Sequence, residues 1–204
     1  MLKSLRMLGE DLREKAQWCY KSNDLPAMAK VLATDGTLAM VLYRLMQGSR
    51  ESKLVPLEMV FNKLNSIFGG CVIGRGTDFG PGFVLFHSNG VVINGKVRGG
   101  SNVYLHHEVT IGDNEHGESP VLGSNIHVGA GAKIIGPVNI GDGARIGANA
   151  VVVHDVTPNT TVVGIPARPV KRREDKKASE NASQNASQNA TPNASQNGSK
   201  AEPS

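Results

Sequence analysis

Residues 128–152 read VGAGAKIIGPVNIGDGARIGANAVV, and a bulky aliphatic residue returns at every sixth position of this stretch. An α-helix repeats about every 3.6 residues and a lone strand every two, so neither geometry alone explains the step. A chain that turns a corner every six residues explains the spacing, because each short straight segment then points one large side chain inward. Tandem hexapeptides are the sequence signature of a parallel β-helix.

The six-residue step also covers the region before this stretch, back to residue 73. Glycine often follows the large residue, as in Ile140-Gly141, and small residues such as Ala132, Ala144 and Ala150 occupy the fifth position, where they fit beside it. We therefore predict a narrow prism with one phase of inward residues. The predicted inward residues are Ile73, Phe79, Leu85, Val91, Val97, Val103, Val109, Leu122, Val128, Ile134, Ile140, Ile146 and Val152.

One interruption divides this series. Val109 and Leu122 are thirteen residues apart, which is two repeats plus one residue, and the polar segment DNEHGESP fills positions 113–120 between them. A polar, proline-ended segment is expected to leave the prism as a loop. Loops on rigid scaffolds often carry functional residues.

Residues 1–69 show the spacing of helices instead. Leu5, Leu8 and Leu12 recur at helical intervals, and Pro26 and Pro56 stand where helices are expected to break. Asn23-Asp24 can cap the helix that follows. The sequence predicts three or four short helices here.

The predicted domains are a helical region at 1–69, a β-helix at 70–173 and a C-terminal tail at 174–204. The tail consists largely of Asn-Ala-Ser-Gln repeats with no core-forming residue, so disorder is expected. The formal net charge of +4 owes much to the cluster Lys171-Arg172-Arg173 just before this tail. A basic cluster without aromatic platforms does not indicate nucleic-acid binding.

The apolar segments and the cysteines indicate the cellular compartment of the protein. No apolar run approaches the ~20 residues of a membrane span, and the N-terminus lacks the apolar core of a secretion signal. Two well-separated cysteines, Cys19 and Cys71, do not form a disulfide framework. We expect a cytoplasmic protein with reduced thiols.

Four motifs together resemble the hexapeptide-repeat acyltransferases, and within them the serine acetyltransferase-like family. They are FVLFHSNGVVIN (83–94), GAGAKIIG (129–136), IGANAVV (146–152) and VGIPAR (163–168). The resemblance implies a mainly β protein: a left-handed parallel β-helix that assembles as a homotrimer and uses acetyl-CoA as co-substrate to acetylate a hydroxyl group. Whether two trimers pair is left open.

By the same resemblance, His87 is the general base that takes the proton of the acceptor hydroxyl. Imidazole suits this task because its ordinary pKa lies near neutrality. Candidate acceptor contacts are Phe86, Asn89, His107 and His116. The resemblance also implies cofactor contacts at Ala130 and Ala148 with the pantetheine arm, while Arg168 and Lys171 are candidates for the CoA phosphates.

The chain departs from the serine enzymes at three positions. Phe86 stands where the serine enzymes normally have an aspartate directly before the catalytic histidine. Val72 stands where they have a carboxylate, about one coil earlier. Ser119 aligns nearest to the position of their loop histidine. These groups orient the base or hold the amino acid, so the group that orients His87 is left open. A phenylalanine at position 86 suits stacking on a sugar ring. The Phe86-His87 pair and the asparagine at position 94 resemble the branch of the family that decorates polysaccharide precursors. A sugar hydroxyl is therefore the favoured acceptor and L-serine the alternative.

Two readings from other classes remain. The chain could be a non-catalytic β-helix scaffold, because fold alone does not define function. It could also be a zinc enzyme that resembles carbonic anhydrases, with His87, His106 and His107 as ligands from adjoining subunits. The motifs at 129–136 and 163–168 favour CoA over zinc, so we expect no metal.

Overall fold

The computed structural model describes residues 1–170, which form one compact unit. Four helices come first, as predicted: α1 (Leu2–Tyr20), α2 (Leu25–Leu32), α3 (Thr37–Glu51) and α4 (Val55–Phe68). Asp24 caps α2, with its Oδ1 accepting a hydrogen bond of 2.9 Å from the Ala27 amide. Pro26 and Pro56 both lie in the first turn of their helices, where a missing amide costs nothing.

Short strands follow and form three parallel sheets, which we call A, B and C. Sheet A contains β1 (Val72–Ile73), β4 (Val92–Ile93), β7 (Thr110–Gly112), β10 (Lys133–Ile135) and β13 (Val151–Val152). Sheet B contains β2 (Asp78–Phe79), β5 (Arg98–Gly99), β8 (Val121–Leu122) and β11 (Asn139–Ile140). Sheet C contains β3 (Val84–Leu85), β6 (Val103–Leu105), β9 (Ile126–Val128), β12 (Arg145–Ile146), β14 (Thr161–Val163) and β15 (Arg168–Val170), of which only β15 is antiparallel to its neighbour.

The chain visits sheets A, B and C in turn, so each coil is a triangle and the sheets are the faces of a prism. Large aliphatic residues fill its interior beside small ones such as Ala132, Ala144 and Ala150, all fully buried. The expected mainly β fold, a parallel β-helix preceded by helices, is confirmed.

The expectation of a single phase is wrong at one corner. Ile73 pairs with Ile93 and Leu85 with Leu105, an offset of twenty residues, whereas Val128 and Ile146 are eighteen apart. The two extra residues lie in the corner after Leu85. Four predicted inward residues therefore occupy the place of the small residue instead, although all are still fully buried: Val91, Val97, Val103 and Val109.

The helical region is attached to the first coil by both apolar and polar groups. Tyr43 and Met46 of α3 belong to the same buried cluster as Phe79 of the coil. Arg44 of α3 and Asp11 of α1 form a fully buried ion pair, with the Arg44 Nε 2.7 Å from an Asp11 oxygen. The other Asp11 oxygen accepts hydrogen bonds from the Gly82 and Phe83 amides, at 2.8 and 2.9 Å. Arg44 also donates to the Phe79 carbonyl. The pair thus links both helices to the turn before β3.

No single helix within residues 1–170 is long and apolar enough to cross a membrane, although α2 and α3, bent by 88°, pass that test as a pair by length and composition. Both cysteines are free thiols. Burial raises the pKa of Cys71 to about 12, so its thiol is unreactive. The predicted tail lies outside the described residues.

Candidate functional site

Four of the predicted site residues lie along one edge of the prism, where sheet C turns into sheet A. The strand register aligns Leu85, Leu105, Val128 and Ile146. The residues two positions further on are His87, His107, Ala130 and Ala148, which therefore follow one another along this edge, called here the site edge. With strands ~4.8 Å apart, this column is about 15 Å long.

His87 lies in the corner that contains the two extra residues, and it projects from the coil. Its side chain is 52% exposed, and its ring lies 5.9 Å from that of His107. The corner is held by backbone hydrogen bonds, since the Gly90 amide donates to the Gly70 carbonyl at 3.0 Å. His87 is therefore presented to solvent from a corner that is hydrogen-bonded to the preceding coil.

An acidic residue from the helical region contacts His87. The loop between α2 and α3 carries Asp35, whose Oδ2 lies 3.1 Å from the Nδ1 of His87. A proton on Nδ1 donated to this carboxylate leaves Nε2 free to accept another proton. Asp35 is therefore placed where it could orient His87, whereas Phe86 and Val72 stand at the positions expected to carry carboxylates.

The His87 corner separates two clefts. One is lined by His87, Asn89 and Gly90 together with His107 and Glu108, and it opens on the site edge. The other, of about 260 Å³, lies between the corner and the helices. It is lined by Leu32, Ala33, Thr34, Asp35, Gly36, Leu38, Phe68, Gly69, Ser88 and Asn89. Asn89 contributes to both clefts, so they adjoin each other beside His87.

Phe86 does not offer the free ring face that was expected to stack on a sugar. It is only 7% exposed, because Trp18 of α1 covers it at a ring distance of 4.3 Å. His106 contacts it from the next coil at 4.7 Å. The exposed aromatic residue here is Trp18, at 44% exposure.

His116 lies on a different edge of the prism. The loop at 113–120 connects β7 of sheet A to β8 of sheet B, whereas His87 lies between sheets C and A. The loop is held by Lys96, which donates 2.8 Å to the Gly117 carbonyl. Within one chain, His116 and His87 are therefore not brought together.

Arg168 lies at the far end of sheet C from His87. It is in β15, and five strand spacings separate β15 from β3, or about 24 Å. Its guanidinium is exposed and donates only to the neighbouring Ala167 carbonyl among residues 1–170. The other phosphate candidate, Lys171, lies outside the described residues.

Two other histidines, His106 directly after β6 and His127 in β9, have lowered pKa values. Burial, followed by the nearby His107 and His87, lowers the pKa of His106. Burial and Arg145 lower the pKa of His127, which stacks on Tyr104 at 4.5 Å. Both rings therefore favour the neutral state. No group of three metal-ligating side chains lies together within residues 1–170.

Comparison of the sequence with known proteins decides the family. No family model matches the chain. A serine acetyltransferase of Helicobacter pylori is 31% identical over 170 residues, covering 82% of this chain and 94% of the relative. The chain belongs to the serine acetyltransferase family. A second serine acetyltransferase, from Bacillus subtilis, is 33% identical over 149 residues, which is 72% of this chain and 69% of that protein.

Solved structures of serine acetyltransferases share the fold. The enzyme from Neisseria gonorrhoeae superposes with a TM-score of 0.76 at 28% identity, covering 87% of this chain and 70% of that one. A soybean serine acetyltransferase complexed with serine gives 0.73 at 29%, covering 83% and 70%. A serine acetyltransferase in complex with CoA gives 0.74 at 25%, with the same coverage. The expectation of an acetyl-CoA-dependent acyltransferase is confirmed.

Sequence reasoning missed Asp35. The available signal was weak: an acidic residue beside Gly36 in a break between helices. Because Asp35 is 52 residues from His87, the hexapeptide spacing could not connect the two.

Proposed function

We propose that this chain transfers the acetyl group of acetyl-CoA to the hydroxyl of L-serine, with His87 as general base. The observation that carries the proposal is the pairing of His87 with Asp35 on the site edge, whose column continues past His107 to the small residues Ala130 and Ala148. The likeness to serine acetyltransferases supports the acceptor.

In the proposed reaction, Asp35 accepts a hydrogen bond from the Nδ1–H of His87, and Nε2 takes the proton of the acceptor hydroxyl. The hydroxyl oxygen then forms a bond to the thioester carbonyl carbon, and the carbon–sulfur bond breaks. The imidazolium returns its proton to the departing CoA thiolate. Proton transfer of this kind contributes about 10²–10⁴-fold to the rate.

Acetyl-CoA would lie along the site edge. Beyond His87 and His107, the column continues with the half-buried Ala130 and the exposed Ala148, whose methyl groups leave space for a pantetheine arm. Arg168, further along sheet C, and Lys171 would contact the phosphates. A serine acetyltransferase of the same fold is known in complex with CoA, which supports this placement.

The acceptor would enter the cleft between the corner and the helices, where Asp35, Ser88 and Asn89 supply polar contacts. A sugar hydroxyl is the second candidate. It is favoured by the loss of carboxylates at Val72 and Phe86 and by the exposed Trp18. The burial of Phe86 removes the stacking argument made from the sequence, so L-serine takes precedence.

A homotrimer would complete the site. Outward-facing apolar residues on the flat sheets, such as Val72, Val92 and Val121 at 42–50% exposure, suit contact with a neighbouring chain. His116 of one chain would then approach His87 of the next. Mixing His87→Ala chains with chains damaged only in the loop at 113–120 should restore some activity. No rescue in verified mixed trimers would contradict the shared site.

The acceptor is tested by following free CoA thiol in purified protein with acetyl-CoA and L-serine, and in parallel with sugars and sugar nucleotides. We expect serine-dependent thiol release that His87→Ala abolishes. The control His154→Ala alters an exposed histidine away from the site edge and should retain activity. Release with a sugar but not with serine would move the second candidate to first place. Release with neither would refute the proposal.

A further inference from the structure

Lys15 is a buried lysine that the proposed reaction does not use. It lies on α1, is 1% exposed, and points its ammonium at the loop between α2 and α3. There Nζ donates to the backbone carbonyl of Asp35 and, at 2.9 Å, to the hydroxyl of Thr37. None of the ion pairs among residues 1–170 includes Lys15.

This burial is unfavourable for the ammonium. Removal from water lowers the pKa of Lys15 to about 8, against a weaker opposing influence of Cys19 and Asp35. An apolar side chain of similar length would fill the same space without the desolvation cost, because replacing buried charges by apolar groups is often neutral or stabilising. The stability of α1 therefore does not explain a lysine at this position.

The loop that Lys15 contacts is also fixed to the β-helix on its other side. Gly36 adopts a φ of +75°, and a Cβ there would lie 2.5 Å from the carbonyl oxygen of Leu85 in β3. Only glycine permits this approach, two residues before His87. Thr37 further donates 2.8 Å to the Val31 carbonyl, which closes the loop on α2.

Asp35 therefore lies between two anchors, the ammonium of Lys15 and the contact of Gly36 with β3. Its side chain is itself 78% exposed, so its own contacts do not hold it in place. A freely moving aspartate would meet His87 only part of the time. The anchors remove that freedom in advance, which is how a supporting residue adds to a rate without touching the substrate.

We infer that Lys15 is a positioning residue, which holds the loop of Asp35 so that its carboxylate remains on the Nδ1 of His87. The inference rests on the proposed function, since it concerns the same general base. Helix α1 then helps to orient the base, because Lys15 contacts the loop of Asp35 and Asp35 contacts His87.

The test compares Lys15→Met in two backgrounds, the wild-type chain and Asp35→Ala. We expect kcat to fall about tenfold in the first, the same order as loss of Asp35 itself, with the KM for acetyl-CoA changed less than about twofold. In the second, Lys15→Met should have no further effect on kcat, because the group that it positions is gone. Lys3→Met, an exposed lysine on the same helix, is the matched control and should resemble wild type.

A purely structural lysine would behave differently. It would lower kcat by the same factor in both backgrounds, together with the melting temperature, and that result would overturn the inference, as would a wild-type kcat for Lys15→Met. If Lys15→Met does not fold, Lys15→Gln, which is neutral and keeps a donor, replaces it in the same cycle with the same criteria. Absence of activity in the wild-type chain would instead refute the proposed function.

Discussion

The interior of the β-helix consists of aliphatic columns, whereas α1 buries a largely polar face: Ser4, Met7, Asp11, Lys15 and Ala16. The apolar Leu5, which contributes to the helical spacing, is 46% exposed. The difference separates two tasks. Non-directional packing suffices to stack coils, but directional hydrogen bonds and ion pairs determine where a loop or a carboxylate lies relative to one corner. The β-helix presents His87, and the helical region places Asp35 beside it.

The largest expected effect is on the β-helix side of this comparison. His87→Ala should lower kcat about 10²–10⁴-fold, or roughly 3–5 kcal/mol, because the acceptor hydroxyl loses its base. The melting temperature and CoA binding should not change, since the side chain is half exposed. Steady-state kinetics and a CoA-dependent thermal shift measure both. A turnover near that of wild type would remove His87 from the role of base.

Breaking the polar attachment of the helices comes next. Asp11→Ala leaves Arg44 buried without its counter-charge, which costs about 3–5 kcal/mol. Thermal or urea unfolding should show this loss, and Glu10→Ala on the exposed side of the same helix should show almost none. Equal stability of the two variants would mean that the attachment does not depend on the ion pair.

A smaller effect depends on pH. The pKa of Lys15 is about 8 in the folded chain and about 10.5 when exposed, so between these values the unfolded chain binds more protons. The penalty for burying Lys15, on the order of 3 kcal/mol at most, is therefore fully present below pH 8 and fades as the pH rises to 10.5. Relative to wild type, Lys15→Met should gain most stability near pH 7 and lose most of this advantage by pH 10. A difference in melting temperature that grows with pH would contradict the burial of a charged lysine.

The two regions also differ in how far the sequence predicts them. The hexapeptide step identifies the coils because inward residues recur at a fixed spacing, and the motif around His87 predicts the base by resemblance. The sequence does not predict the phase shift after Leu85, since Val91 is aliphatic and suits both the large-residue and the small-residue position. The sequence does not predict the contact of Asp35 with His87, because it joins an irregular loop to a corner that is distant in the sequence, and no periodicity encodes such a pairing. The burial of Phe86 likewise depends on where α1 places Trp18.

The most direct test of the central claim, that Asp35 acts through His87, is a double-mutant cycle on kcat. Asp35→Ala should slow the otherwise wild-type enzyme about tenfold, or ~1.4 kcal/mol, a modest loss because the pair is largely exposed. In the His87→Ala background the same change should have no effect, because there is no base left to orient. An equal loss in both backgrounds, or no loss in the first, would contradict the account.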